Sequence, residues 1–260
     1  RVDPTIPTDI TFSSPASGSV ICAGSTITAS GASGVTNGIT PYTYEWDYDN
    51  TAHSYAGTYS TIPSFTATDG ANKVKVRVQA ISSLGCDASP TYEETITGNP
   101  VPVGQPTTIT SCSGTAISTA LSTTNSVTGT TFSVITTPTH ASLTGSLTMS
   151  GGNTLVGTIT NSSASDITVT YVVRPTGPAS TNCVGSDFNV TVTIRGKITP
   201  TAGSNSPVCV GNSLTLSSSA TGVGGSYSYS WSCPLSYSNL TQNPTVSATA
   251  TADMAGTYTD

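Results

Sequence analysis

Charge is scarce in this chain. Only 8% of its 260 residues are Asp, Glu, Lys or Arg, against about a quarter in ordinary soluble domains. The 7 Lys and Arg residues are spread along the whole length, so no basic patch is available for nucleic acid. Long apolar runs are missing too. Apolar residues make up 35% and fall in short alternating stretches, far below the roughly 20 needed to span a bilayer as a helix. No segment carries a 3.6-residue apolar stripe. Histidine is limited to His53 and His140, too far apart in sequence for a local metal pair. Cys-x-x-Cys, Gly-x-Ser-x-Gly, the P-loop pattern and His-Glu-x-x-His do not occur. Zinc–cysteine sites, α/β-hydrolase elbows, nucleotide-cradling loops and zincin helices therefore have no sequence support.

What is present is Ser, Thr, Gly and six cysteines, with a formal net charge of -6. The chain starts at Arg1 without a signal-peptide pattern, as expected of a processed product or a fragment. An even cysteine count suits an oxidising compartment, and a mildly acidic, Thr-rich surface fits an extracellular protein.

The cysteines reveal an internal repeat. Cys22-Ala-Gly-Ser-Thr-Ile-Thr28, Cys112-Ser-Gly-Thr-Ala-Ile-Ser118 and Cys209-Val-Gly-Asn-Ser-Leu-Thr215 share the form Cys-x-Gly-x-x-(Ile/Leu)-(Thr/Ser). They lie 90 and 97 residues apart, the size of one β-sandwich domain. Tyr42-Thr-Tyr-Glu-Trp46 follows the first and Tyr227-Ser-Tyr-Ser-Trp231 the third, while Thr130, Phe132 and Val134 hold this place in the middle repeat. Period-two alternation puts Tyr42, Tyr44 and Trp46 on one, inward face. Val74, Val76 and Val78 share a face opposite Lys73, Lys75 and Arg77. Ile167, Val169, Tyr171 and Val173 form another apolar face, as do Phe188, Val190, Val192 and Ile194.

The expected fold is all-β: tandem immunoglobulin-like sandwiches at residues 8–98, 104–196 and 200–260. Proline-bearing joints at 98–106 and 197–203 act as semi-rigid spacers and predict an extended rod. The third repeat reaches Asp260 without counterparts of the first repeat's last two strands. Cys22 to Val74 is 52 residues, and Cys209 to Tyr258 is 49. Either the following residues complete it, the preferred reading, or a neighbouring chain donates its segment Arg1–Ile10 as a strand. Against donation, Pro4 and Pro7 suit an edge better than a central strand.

The spacing predicts three disulfides and no free thiol: Cys22–Cys86, Cys112–Cys183 and Cys209–Cys233. For Cys209, a partner past Asp260 is the alternative. The best polar cluster is Asp47, Asp49 and Asn50, with Asp69 nearby. Oxygen ligands on a loop suit a weak Ca²⁺ site, but Asp and Asn bonding their own backbone in turns is the preferred reading. Glu93 and Glu94 are adjacent and face opposite sides of a strand, read as a solvated edge. Tyr55, Tyr59 and Tyr237 are the candidates for an exposed sugar-stacking surface. Asn161, Asn189 and Asn239 stand in Asn-x-Ser/Thr sequons.

The motifs around Asn205-Ser-Pro-Val-Cys-Val-Gly-Asn-Ser-Leu-Thr-Leu216, Tyr229-Ser-Trp231, Asn243-Pro-Thr245 and Ala255-Gly-Thr-Tyr258 resemble the Ig-like/PKD-like repeats of Bacteroidota surface proteins. Tyr44-Glu-Trp46-Asp47 is similar to the Tyr-x-Trp-Asp core of PKD domains. Asn182-Cys-Val-Gly185 followed by Phe188-Asn-Val-Thr-Val192 resembles the PKD-like variety. The resemblance implies type IX export and display in very long adhesins, including gliding-motility adhesins of the SprB type. The expected function is a non-enzymatic stalk, adhesin or filament segment. Its expected partners are neighbouring repeats or like chains, with surface glycans as candidates, and without nucleic acid or membrane insertion. The alternative is a carbohydrate-binding accessory module of a secreted polysaccharide-degrading enzyme.

Overall fold

A computed structural model of the chain describes residues 3–14, 19–38, 40–55, 57, 64–79, 88–222, 226–232 and 237–259. They cluster into two compact units. One comprises residues 1–105, 121–133 and 173–188, the other 106–120, 134–172 and 189–260.

The first unit holds a complete sandwich. Its strands are β1 (Asp9–Ser14), β2 (Ile21–Cys22), β3 (Thr26–Ser33), β4 (Tyr44–Asp49), β5 (Ser64–Thr66), β6 (Gly70–Val78) and β7 (Tyr92–Asn99). One sheet has the order β1-β3-β5 and the other β2-β7-β6-β4. The alternation seen in sequence is what closes them. Val74, Val76 and Val78 are buried between the sheets with Trp46, Ile27, Phe65 and Ile10. Lys73, Lys75 and Arg77 point the other way, and Arg77 Nε bonds Glu45 Oε2 across the β4–β6 pair at 2.8 Å. Tyr44 lies half-buried and donates its hydroxyl to Ala32 O. Residues 3–10 belong to this same sandwich. Pro4 is buried, Thr5 N and Thr8 N bond Thr36 O and Ser33 O, and Ile10 is core. The segment considered above as a donor strand is thus spent on its own repeat. Glu93 and Glu94 do face opposite sides, Glu93 exposed and Glu94 half-buried; β6 flanks them on one side, while β2 meets β7 only at Gly98 and Asn99.

The joint after β7 is pinned. Val103 N bonds Asn125 Oδ1, and Asn125 Nδ2 returns to Val101 O. Gln105 N and Thr124 N add backbone bonds to Ser122 O and Val103 O.

The middle repeat is built from β8 (Thr107–Ser111), β9 (Ala116–Ala120), β10 (Thr131–Thr136), β11 (Leu143–Ser150), β12 (Thr154–Asn161), β13 (Ile167–Thr176) and β14 (Phe188–Ile194). Its sheets have the orders β10-β13-β14-β8 and β11-β12-β9. In the second unit Leu147, Leu155, Ile159, Tyr171, Val190, Val192 and Ile194 are fully buried. Tyr171 keeps its hydroxyl satisfied by accepting Leu147 N at 3.1 Å, as a buried phenol requires.

The third repeat carries β15 (Thr199–Ser204), β16 (Leu214–Thr221), β17 (Trp231–Ser232), β18 (Ser238–Asn239) and β19 (Thr245–Ser247). One sheet is β15-β16-β19, and β17 pairs with β18. Ser232 also bridges to Thr259, the place β6 takes beside β4 in the first repeat. Residues 199–204, read as part of a joint, are an edge strand. Pro200 fits there because an edge strand has no ladder bond to lose on its outer side. Trp231 is 1% exposed and its indole N–H donates to Thr241 O. Among the described residues no sheet mixes strands from two of the three repeats.

Candidate functional site

Each repeat builds the same turn at its Cys-x-Gly motif. In the first, Ser25 N donates to Cys22 O (3.0 Å) and Gly24 N to Ala67 O (2.8 Å). In the second, Thr115 N donates to Cys112 O (3.2 Å) and Gly114 N to Ile159 O (2.9 Å). In the third, Asn212 N donates to Cys209 O (3.1 Å) and Gly211 N to Ala250 O (2.9 Å). Gly24, Gly114 and Gly211 have φ of 89°, 75° and 95°. That left-handed region is why the motif needs glycine. In the first two repeats the turn sits where the preceding segment runs parallel to the repeat's last strand. Cys22 is opposite Asn99 of β7. In the middle repeat Ser111 is opposite Ile194 of β14, so Cys112 falls alongside Arg195.

Cys22 is bonded to Cys183, with Cα atoms 5.6 Å apart and a sequence separation of 161. This bond ties the first repeat's turn to the second repeat's β13–β14 loop, and it corrects two expected pairings. Cys112–Cys183 fails because its second cysteine has another partner. Cys183 is already engaged by Cys22, and Cys112 is left free. Cys22–Cys86 fails because Cys22 is already engaged. Cys86 and Cys233 lie outside the described residues. Cys112 and Cys209 are exposed free thiols, contrary to the expectation of full pairing. The sequence signal for the observed bond was weak, since three similar spacings suggested closure within each repeat.

The loop bearing Cys183 is tightly built. Gly177 N bonds Cys183 O at 2.8 Å, Gly185 N bonds Pro175 O at 2.9 Å, and Asn182 N bonds Pro178 O at 2.8 Å. A Cβ at Gly185 would meet Pro102 O at 1.9 Å, so this loop presses against the backbone of the preceding joint. Arg174 clamps Asp187 through both nitrogens at 2.6 and 2.9 Å, which lowers the carboxyl's pKa and raises the guanidinium's.

The acidic cluster serves backbone geometry. Asp47 is buried, with Oδ1 accepting Tyr48 N and Oδ2 accepting Gly57 N. Asn50 Oδ1 accepts Ala52 N and His53 N, an Asx-type turn. Asp49 is half-buried and Asp69 exposed. Among the described residues no three His, Cys, Asp or Glu side chains gather as metal ligands.

Tyr55, expected to be exposed, is half-buried. Its hydroxyl donates to Glu93 Oε2 at 2.8 Å, and Lys75 Nζ sits 3.6 Å from its ring centroid. Burial and the Glu93 bond push the phenol well up, and the Tyr55 hydroxyl holds the Glu93 carboxyl down. Tyr237 is half-buried with a buried hydroxyl. Tyr59 lies outside the described residues. Of the sequon asparagines, Asn161 is 1% exposed and uses its Nδ2 on Ser165 O and Ile194 O and its Oδ1 on Ser163 N. Asn239 Oδ1 accepts Thr241 N. Asn189 is exposed.

Hollows among the described residues of the second unit include two larger ones. One, of about 490 Å³, is lined by Leu214, Leu216, Trp231, Ala250, Met254 and Tyr258 of the third repeat. The other, of about 720 Å³, is lined by Cys112, Ser113, Arg195, Gly196, Lys197 and Ile198. No helix among the described residues is long and apolar enough to cross a membrane.

Residues 109–200 match the family model of the PKD-like domain. No curated protein matches the chain. Solved structures similar to it include the three N-terminal domains of the bacteriophage RB49 highly immunogenic outer capsid protein, at 13% identity, covering 96% of this chain and 90% of that one with a TM-score of 0.37. The protocadherin GammaB4 extracellular domain is 9% identical, with 89% and 43% covered and a TM-score of 0.32. Surface-layer protein SbsC, domains 4–9, is 12% identical, with 90% and 38% covered and a TM-score of 0.27.

Proposed function

We propose that this chain is a load-bearing, non-enzymatic segment of an extracellular surface protein, a stalk or adhesin shaft assembled from PKD-like and Ig-like repeats. The observation that carries this reading is the disulfide from Cys22 to Cys183, which joins one repeat to the next rather than closing either. A bond across a joint resists separation of repeats, a property useful under tension and of no use to an isolated binding module. Occupied carboxylates support the reading further. Asp47 is held by amides, Glu45 by Arg77, Glu93 by Tyr55, Asp166 by Arg195 and Asp187 by Arg174. The parent is exported by the type IX route and serves surface adhesion, with gliding motility as the specific setting. Neighbouring repeats or like chains are its partners, and surface glycans the ligands of its distal end. Surface shaving of intact source cells with protease tests this. Peptides of this chain should be released from living cells, and cells lacking the protein should lose adhesion to glass or glycan-coated surfaces. Recovery only from the cell interior would sink the proposal. Graded binding on a glycan array that Tyr55→Ala abolishes would favour the carbohydrate-binding module instead.

A further inference from the structure

The two sheets of the first sandwich leave a seam along one edge. β2 meets β7 only at Gly98 and Asn99, so among the described residues no strand pairs with that side of residues 92–97. β1, a strand of the opposite sheet, comes close to β7 there. A side chain crosses the gap. Ile10 N of β1 donates to the Glu94 carboxylate of β7, while Glu94 Oε2 is buried without a partner. We infer that Glu94 is a pH-sensitive latch on the N-terminal strand, loose while its carboxylate is charged and tight once it is protonated. The latch holds more than β1 itself, because the segment leading into it is tied to the same sandwich through Thr5 and Thr8.

The surroundings of Glu94 offer its charge one amide and no cation among the described residues. Val74 stands opposite it on β6, and the core it faces is built from Ile10, Ile21, Ile27, Val74 and Val76. Tyr44, Tyr48 and Tyr92 pack on that core and bring only phenols, which are neutral in acid. Asp9 on β1 adds a like charge. The cations of β6 lie on the outer face, where Lys73 and Lys75 pair with Glu93 and Arg77 with Glu45. Burial first, then Asp9, thus raises the Glu94 carboxyl above its ordinary range, against the Ile10 bond. Opening the seam returns Glu94 to water and to that ordinary range. The closed seam therefore binds the proton more tightly, and closure gains as pH falls from neutral through the raised value.

The test is native-state amide exchange on the full, unreduced chain, read by NMR at a series of pH values and corrected for intrinsic exchange. Protection of Ile10 N–H should rise about 5-fold or more between neutral pH and acid, the factor set by one poorly satisfied buried group. Amides of β13 in the middle repeat, such as Val169 and Tyr171, serve as the reference and should not follow it. Glu94→Gln keeps an acceptor for Ile10 N without the charge, so it should hold the high protection at every pH. Asp9→Asn should move the rise to lower pH. In the wild type, the Glu94 carboxyl carbon should titrate at higher pH than glutamate in the urea-unfolded chain, a readout that needs no variant. Ile10 protection that stays level or falls on acidification overturns the latch. So does a rise that persists in Glu94→Gln, or a Glu94 midpoint at or below that of the unfolded chain.

Discussion

Pulling the chain from its two ends loads the Cys22–Cys183 bond before it loads most of the fold. Force entering at the N-terminus runs to Cys22, crosses the disulfide to Cys183, and leaves through β14 and the third repeat. The 161 residues of separation are outside that path. At ~3.3–3.6 Å per extended residue, they hold about 530–580 Å of contour length. Optical-tweezer extension of the full chain should therefore release a total contour shorter by about that amount in oxidising buffer than in dithiothreitol. Cys22→Ser or Cys183→Ser should show the full length without reductant. In the chain-entropy model, closing a loop this long also contributes about 5 kcal/mol to folding, so the same variants should unfold at lower urea. The reasoning is refuted if the oxidised wild type already yields the full contour, or if reduction adds none.

Glu94 turns toward the core of the first repeat, where its Oε2 has no hydrogen-bond partner. Burial, then Asp9, raises its carboxyl pKa, against a bond from Ile10 N. A raised folded-state pKa means the charged form is disfavoured by folding. Stability should rise as pH falls from neutral through that raised value, and Glu94→Gln should be about 1 kcal/mol more stable at pH 7, with the pH dependence flattened in urea titrations. Gly114→Ala meets no close atom at its Cβ beyond Thr160 Oγ1 at 4.0 Å, so its cost is backbone conformation alone, about 1–2 kcal/mol, readable by thermal unfolding. Asn161→Ala removes its bonds to Ser163 N, Ser165 O and Ile194 O, of which Ser165 O keeps Ser163 Oγ, and should cost about 2–3 kcal/mol. Expressed in a glycosylating host, the chain should carry glycan at Asn189 and none at Asn161, and a modified Asn161 peptide would contradict its burial.

Period-two alternation decided the architecture from sequence alone. Val74, Val76 and Val78, or Phe188, Val190, Val192 and Ile194, can bury one face only as strands, and the Tyr/Trp motifs marked a core strand in the first and third repeats. The Cys-x-Gly motif was equally legible as a repeated turn, because a glycine two residues after the cysteine answers a positive φ. Pairing was not legible. Which cysteines meet depends on the parallel run of β2 beside β7 and β8 beside β14, which carries each turn cysteine to the joint end of its repeat. The same holds for Glu94, Asn161 and Tyr55. Their residue types suggest exposed polar positions, and only the packing of one sheet on another turned them into an inward carboxylate, a buried bridge and a capped ring.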